Sequence, residues 1–136
     1  MTAGLAIEPL PLNSADDIVK ARQLVRTAAL EAGLSIVDQT KLVTAASELA
    51  RNTVVHGGGG FVRIECMNEG GRRGVRLTFE DRGPGIADID LALKDGYSTG
   101  GGLGLGLSGS RRLSNEFHIQ SQVGKGTTVS ITRWKP

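Results

Sequence analysis

Asp81-Arg82-Gly83-Pro84-Gly85-Ile86 and, further on, Gly100-Gly101-Gly102-Leu103-Gly104-Leu105-Gly106-Leu107 are the two passages on which the reading of this chain turns. The first ends an alternating run, Val75 to Asp81, of the kind that forms a half-buried strand. The second leads into Leu103 to Leu113, which can form a helix despite its glycines. Together they hold much of an unusual glycine content, 20 among 136 residues, about twice the ordinary share. There is no Gly-X-Y period, which removes collagen. Nine glycines fall between Gly83 and Gly109, and Gly57 to Gly60 form a separate run. Glycine concentrated in this way marks backbone that turns sharply or approaches a ligand closely.

Outward from these passages the periodicity changes. Phe61 to Met67 alternates, as does Val75 to Asp81, and Gly70-Gly71 makes the hairpin between them. Phe117 to Gln122 and Thr127 to Arg133 predict a second hairpin around Gly124 to Gly126. Upstream, Asn13 or Ser14 caps a helix with Ile18, Ala21, Leu24, Val25, Ala28 and Ala32 on one side, ended by Gly33. A second helix, Val37 to His56, starts after Ser35; Leu42, Val43, Ala46, Leu49, Ala50 and Val54 form its apolar stripe. Glu48, Asn52 and His56 stack four residues apart on roughly the opposite side. Leu5 to Leu10 predicts a short strand ended by Pro9 and Pro11, and Asp88 to Lys94 a short helix. The order β-α-α-β-β-loop-α-β-β predicts an α+β fold. It is a two-layer α/β sandwich whose mixed, mostly antiparallel sheet has helices on one face, with residues 1–136 as a single domain.

Composition narrows the function. Apolar residues are 39% and charged residues 22%, which suits a globular domain. No stretch approaches a membrane span, and Met1 to Leu12 lacks the basic start and apolar run of a signal peptide, so a cytoplasmic protein is expected. One cysteine, Cys66, and two histidines, His56 and His118, cannot assemble a zinc-type ligand set. Cys66 reads as a small buried hydrophobe, and His56 as a helix C-terminal residue facing the dipole. The formal charge is +2 and the pI near 9.0, but five aromatic residues are too few for a base-stacking surface, so nucleic acid is not the expected partner. Arg111 and Arg112 are expected in solvent unless a partner docks there.

Three phosphate-binding patterns fail against the glycines. Gly104-Leu105-Gly106-Leu107-Ser108-Gly109 matches G-x-G-x-x-G, yet a glycine loop precedes it where a dinucleotide fold needs a strand. Lys125 is followed by Gly126, so there is no Walker loop, and the catalytic motifs of eukaryotic-type protein kinases are missing. Four short motifs in order do fit. They are Glu48-Leu49-Ala50-Arg51-Asn52 on a helix, Asp81-Arg82-Gly83-Pro84-Gly85 after a strand, the Gly100 to Leu107 run, and Gly124-Lys125-Gly126-Thr127 in the last hairpin. In this order and spacing, over residues 37 to 133, the chain resembles the Bergerat-fold ATPases shared by gyrase, Hsp90 and histidine kinases.

The resemblance implies an ATP site whose chemistry suits these residues. Asp81 would accept a hydrogen bond from the adenine amino group, and Thr127 would offer a hydroxyl to the same network. Gly83 and Gly85 would leave room for the purine. Asn52 would give Mg²⁺ an amide oxygen, the ion taking its other ligands from phosphate and water. Gly100, Gly101, Gly102, Leu103, Gly104, Leu105 and Gly106 would form the phosphate lid, exposing backbone N–H groups where a helix begins. Glu48 would act as general base. Gly33, Gly70, Gly71, Gly124 and Gly126 read as plain turn or cap residues, and Gly57 to Gly60 as a flexible loop.

A chain this short has no room for a gyrase transducer or a sensor-kinase dimerisation segment. It looks like the small serine protein kinases of bacterial partner-switching systems. Glu48 to Asn52, Asp81 to Asp88, Asp95-Gly96-Tyr97-Ser98-Thr99 and Arg111 to Phe117 look closer to the stressosome switch kinases than to anti-sigma-factor kinases. Such a kinase would phosphorylate a serine on a STAS-domain antagonist and, once released, bind and activate a PP2C-type phosphatase. An anti-sigma-factor kinase and a non-catalytic, ATP-gated binding module are the alternatives.

Overall fold

A computed structural model describes residues 6–94 and 106–136, with side chains from residue 9 onward. Its elements run β1 (Ala6–Leu12), α1 (Ala15–Glu31), α2 (Ile36–Val55), β2 (Gly60–Glu69), β3 (Arg72–Asp81), α3 (Ile89–Ala92), α4 (Gly106–Arg112), β4 (Glu116–Gln122) and β5 (Gly126–Trp134). The strands form one sheet in the order β1-β2-β3-β5-β4, and every pairing is antiparallel. The antiparallel bias of the expected α+β sandwich is therefore complete among the described residues.

Local chemistry sets the element ends. Ser14 and Ser35 each accept a hydrogen bond from the backbone N–H three residues on, capping α1 and α2. At the end of α1, Gly33 takes φ +83° while its N–H reaches Leu30 O and that of Leu34 reaches Ala29 O. That double bond pattern closes the helix, with Leu34 tucked into the core. Gly70 and Gly71 both have positive φ, as a tight two-residue hairpin requires. One boundary differs from expectation: β1 runs through Pro9 and Pro11 to Leu12. It is an edge strand, so prolines lacking an N–H are tolerated, and its register with β2 shifts between Ile7 and Leu10.

The core lies between the sheet and the helices. Val62 and Ile64 of β2, Val75, Leu77 and Phe79 of β3, and Val129 and Ile131 of β5 face Ala21, Val25 and Ala28 of α1 and Leu42, Ala46 and Leu49 of α2. Alanines at these helix positions let the helices lie close to the sheet and to each other. Strand parity also places the polar residues at the sheet's end. Asp81 continues the inward-facing series Val75, Leu77, Phe79, and Thr127 the series Val129, Ile131, so both polar side chains sit where the apolar layer ends. Cys66 is half-buried against α1, its Sγ 4.0 Å from Ala28 O, and burial pushes its thiol pKa up, with Glu31 adding to the rise.

Asp38, whose partner is 95 residues away, was not marked by the periodicity of α2. Arg133 donates from one terminal nitrogen to Asp38 Oδ1 at 2.8 Å and from the other to Leu113 O at 2.9 Å. Both side chains of the pair are nearly buried, at 13% and 12% exposed. The hydrogen bond from Arg133 holds the Asp38 carboxyl below the usual carboxylate range, against the opposing effect of burial. Because the folded pKa is the lower one, the unfolded chain binds more protons in acid and stability rises with pH. The contribution is complete above the unfolded value of about 3.9 and is lost as pH falls through the lowered value. Asp38→Asn is expected to cost about 2–3 kcal/mol at neutral pH. In thermal melts its deficit against wild type should close in acid; a deficit independent of pH would reject the role given to the carboxylate.

Candidate functional site

Where α2, the end of β3, the start of β5 and α3 converge, they enclose a cavity of about 510 Å³, a size suited to a small-molecule ligand. Glu48 and Asn52 enter it from α2, Asp81 from β3, Thr127 from β5, and Gly85 and Gly106 through their backbones. Leu49, Phe79, Ile86, Leu107 and Val129 supply apolar walls. Glu48 and Asn52 are half-buried, neither solvated nor core. His56, the C-cap of α2, is exposed at the rim. Gly83 does not line the cavity, and Gly100 to Leu105 lie outside the described residues.

Asp81 is held firmly. It pairs with Gly60 on one side and Thr127 on the other, and its Oδ1 accepts from the Gly83 N–H at 2.9 Å. That bond leaves Oδ2 and the remaining lone pairs of Oδ1 available to a ligand donor. The glycines around it have a different use from the one expected. A Cβ on Gly57 would lie 2.6 Å from Asp81 Oδ2, so Gly57 leaves the space that the carboxylate fills. A Cβ on Gly83 would meet the Gly57 backbone at 2.7 Å, and one on Gly60 would collide with the Glu80 carbonyl. Gly58 and Gly59 take φ of +72° and +110°. Gly57 and Gly60 are therefore not part of a loose loop but the contact between the end of α2 and the end of β3, while Gly59 faces Asn13 and Gly58 open space.

Gly83 and Gly85 are likewise needed for backbone packing. Gly85 has φ +78°, and a Cβ there would stand 2.7 Å from the Gln122 carbonyl carbon. The β4–β5 turn clasps this segment: Gly124 N–H donates to Pro84 O at 2.8 Å. Gly126, expected as a plain turn residue, is buried with φ +105° against the backbone of Asp81 and Arg82.

Ser121 is a site residue that the sequence did not single out. Its Oγ accepts from the Ile86 N–H at 2.8 Å, donates to Gly126 O at 3.0 Å and lies 2.8 Å from Thr127 Oγ1. All three contacts are satisfied at once when the Thr127 hydroxyl donates to Ser121, leaving the Thr127 lone pairs for the cavity. The available signal was a polar residue continuing the inward series Phe117, Ile119 on β4.

The donor set can also be tested for a metal. Among the described residues no three His, Cys, Asp or Glu side chains cluster to hold an ion. Asn52 offers one neutral oxygen, a turn of helix from the Glu48 carboxylate. This fits a hard cation carried in on phosphates and hydrated on its other sides, and does not fit an all-protein cage.

Comparison with known proteins gives a consistent picture. Residues 37–136 match the family described as histidine kinase-, DNA gyrase B- and HSP90-like ATPase. The chain is 48% identical over 118 residues to the serine/threonine-protein kinase RsbT of Bacillus subtilis, covering 87% of this chain and 89% of that one. It is 34% identical over 102 residues to an anti-sigma F factor of Geobacillus, covering 70% and 68%. Among solved structures, that of the RsbU and RsbW domains of Rv1364c from Mycobacterium tuberculosis superposes with a TM-score of 0.65 at 24% identity. It covers 99% of this chain and 34% of that one, a likeness of fold.

Proposed function

The chain belongs to the histidine kinase-, DNA gyrase B- and HSP90-like ATPase family, and on that premise we propose that it transfers the γ-phosphate of ATP to a serine of a STAS-domain protein in a partner-switching module. It is an enzyme of the serine/threonine-protein kinase class, as its 48% identical relative is named. The observation that carries the reading is the meeting of Glu48 and Asn52 with Asp81 and Thr127 in one cavity walled by apolar side chains. Asp81 and Thr127 read the adenine edge, and Leu49, Ile86 and Leu107 exclude water from around the ring. Glu48 accepts the serine proton as the new P–O bond forms and the bond to the departing ADP oxygen breaks. Asn52 would hold Mg²⁺, which would supply charge neutralisation during transfer. Gly100 to Gly106 would offer their N–H groups to the phosphates. Once the STAS-domain protein is phosphorylated and released, the kinase binds and activates a PP2C-type phosphatase.

Incubation with labelled ATP and a STAS-domain protein is expected to give phosphoserine that disappears when EDTA removes Mg²⁺. A chain that binds ATP yet labels no STAS-domain protein would instead be an ATP-gated binding module. The 34% identity to an anti-sigma F factor favours a second reading, a kinase that also sequesters a sigma factor. Pull-down separates the two: capture of a phosphatase without a sigma factor supports the first, and the reverse supports the second.

A further inference from the structure

Three carboxylates and one guanidinium line the cavity that would hold ATP. Glu48, Asp81 and Asp88 bring negative charge, and Arg51 is the one lysine or arginine among the described lining residues. Every other lysine and arginine of the described residues lies outside that lining. The stretch from residue 95 to residue 105, which includes the glycine run, contains neither residue type. A polyphosphate brought among three carboxylates is repelled unless cations offset them. Asn52 would hold one such cation, and Arg51 is the side chain that can supply another.

Arg51 is also placed for it. The residue lines the cavity yet is exposed, and it has no ion-pair or hydrogen-bond partner among the described residues. Glu48 stands three residues earlier, a spacing at which helical ion pairs form, but the two are not paired. Around α2, Asn52 and Glu48 are about 40° apart and Arg51 lies about 60° beyond Glu48, so Glu48 falls between the other two. The γ-phosphoryl group must meet the cation at Asn52 on one side and the serine at Glu48 on the other. A long side chain beside Glu48, at the cavity mouth, can reach the oxygens of the group in transfer. A planar guanidinium suits them because it can bond two at once. We propose that Arg51 bonds the γ-phosphate of ATP and stabilises its charge as the phosphoryl group passes to serine. The identity of the ligand rests on the kinase reading.

Nucleotide competition with Arg51→Ala, using a non-hydrolysable ATP analogue and ADP, tests the contact without any acceptor protein. Affinity for the analogue is expected to fall about tenfold, while affinity for ADP, which lacks the γ-phosphate, should hold. With a STAS-domain protein and saturating ATP, kcat should fall by about tenfold to a hundredfold at unchanged acceptor KM. That is less than the loss of a buried, preorganised donor, because Arg51 is exposed. Arg51→Lys keeps the charge without the fork and should recover part of both losses. Lys41→Ala, which removes a cation of the same helix outside the cavity, should change neither. Equal losses of analogue and ADP, no loss of either, or the same selective loss in Lys41→Ala would overturn the contact. A rise in acceptor KM alone would put Arg51 against the acceptor protein, and overturns it as well. Selective loss of analogue affinity in a protein whose wild type yields no phosphoserine would keep the γ-phosphate contact and reject the kinase reading. A wild type that binds neither nucleotide would reject both.

Discussion

Glu48→Ala is expected to slow phosphoryl transfer by about 10²–10⁴ while leaving ATP affinity at its wild-type value. The separation follows from where the side chain sits. α2 is locked into the core by Leu42, Ala46, Leu49 and Ala50, each almost wholly buried, so removing one half-buried carboxylate does not move the helix. Asn52, one turn on, keeps its place, about 6 Å further along the axis. On the proposed assignment, what is lost is a proton acceptor for the serine hydroxyl, a group that matters when the P–O bond forms and little when nucleotide binds. Asp81→Asn is the counterpart. The amide still accepts from the Gly83 N–H, so the turn survives, but the proposed charge-assisted bond to adenine goes and ATP affinity is expected to drop by about 1.5–3 kcal/mol. Single-turnover labelling and fluorescent-nucleotide titration measure the two quantities separately. Phosphorylation of the acceptor by Glu48→Ala at the wild-type rate would remove Glu48 as the base.

The residues that the sequence made legible are those whose physics is local or periodic. Ser35 and the apolar stripe behind it mark α2, and the spacing of Glu48 and Asn52 puts both on one helical edge. Gly70-Gly71 between two alternating runs forces the β2–β3 hairpin, and parity along Val75 to Asp81 then directs Asp81 toward the helices. The illegible residues depend on distant backbone. Asp38 is a first-turn helix acid until Arg133 arrives from β5. Ser121 is one polar residue in a strand until the Ile86 N–H and the Thr127 hydroxyl converge on it. At Gly57, Gly59 and Gly60 the atoms that forbid side chains belong to Asp81, Asn13 and Glu80, far along the chain or across the sheet, while Gly58 faces open space and is set by its φ of +72°. Pro9 and Pro11 look like strand breakers because nothing in their neighbourhood says that β1 lies at the sheet edge. Composition registers such glycines as an excess; only the approach of two backbones explains them.

Gly126→Ala should therefore be among the most damaging single methyls at the described glycines. Gly126 opens β5 with φ +105°, a conformation that strains any L side chain by about 1–3 kcal/mol. Its Cβ would also stand 2.8 Å from Arg82 Cα and closer still to the Asp81 carbonyl, where no flexible side chain can give way. Forcing β3 and β5 apart adds about 1–3 kcal/mol of overpacking, for a total loss of about 2–6 kcal/mol. The displacement falls on the site itself. Asp81 and Thr127 are a register pair, and Gly126 O is the acceptor for Ser121, whose Oγ meets the Thr127 hydroxyl. Loss of ATP affinity should accompany the loss of stability in whatever fraction remains folded. Gly124→Ala is the control. Gly124 has φ +80° but open space where its Cβ would go, so it should cost only about 1–2 kcal/mol, with nucleotide affinity kept. Thermal melts and nucleotide titrations of the two variants decide the matter. Equal effects at 124 and 126 would mean that backbone strain alone, and not the approach of β5 to the Asp81 turn, sets the requirement for glycine.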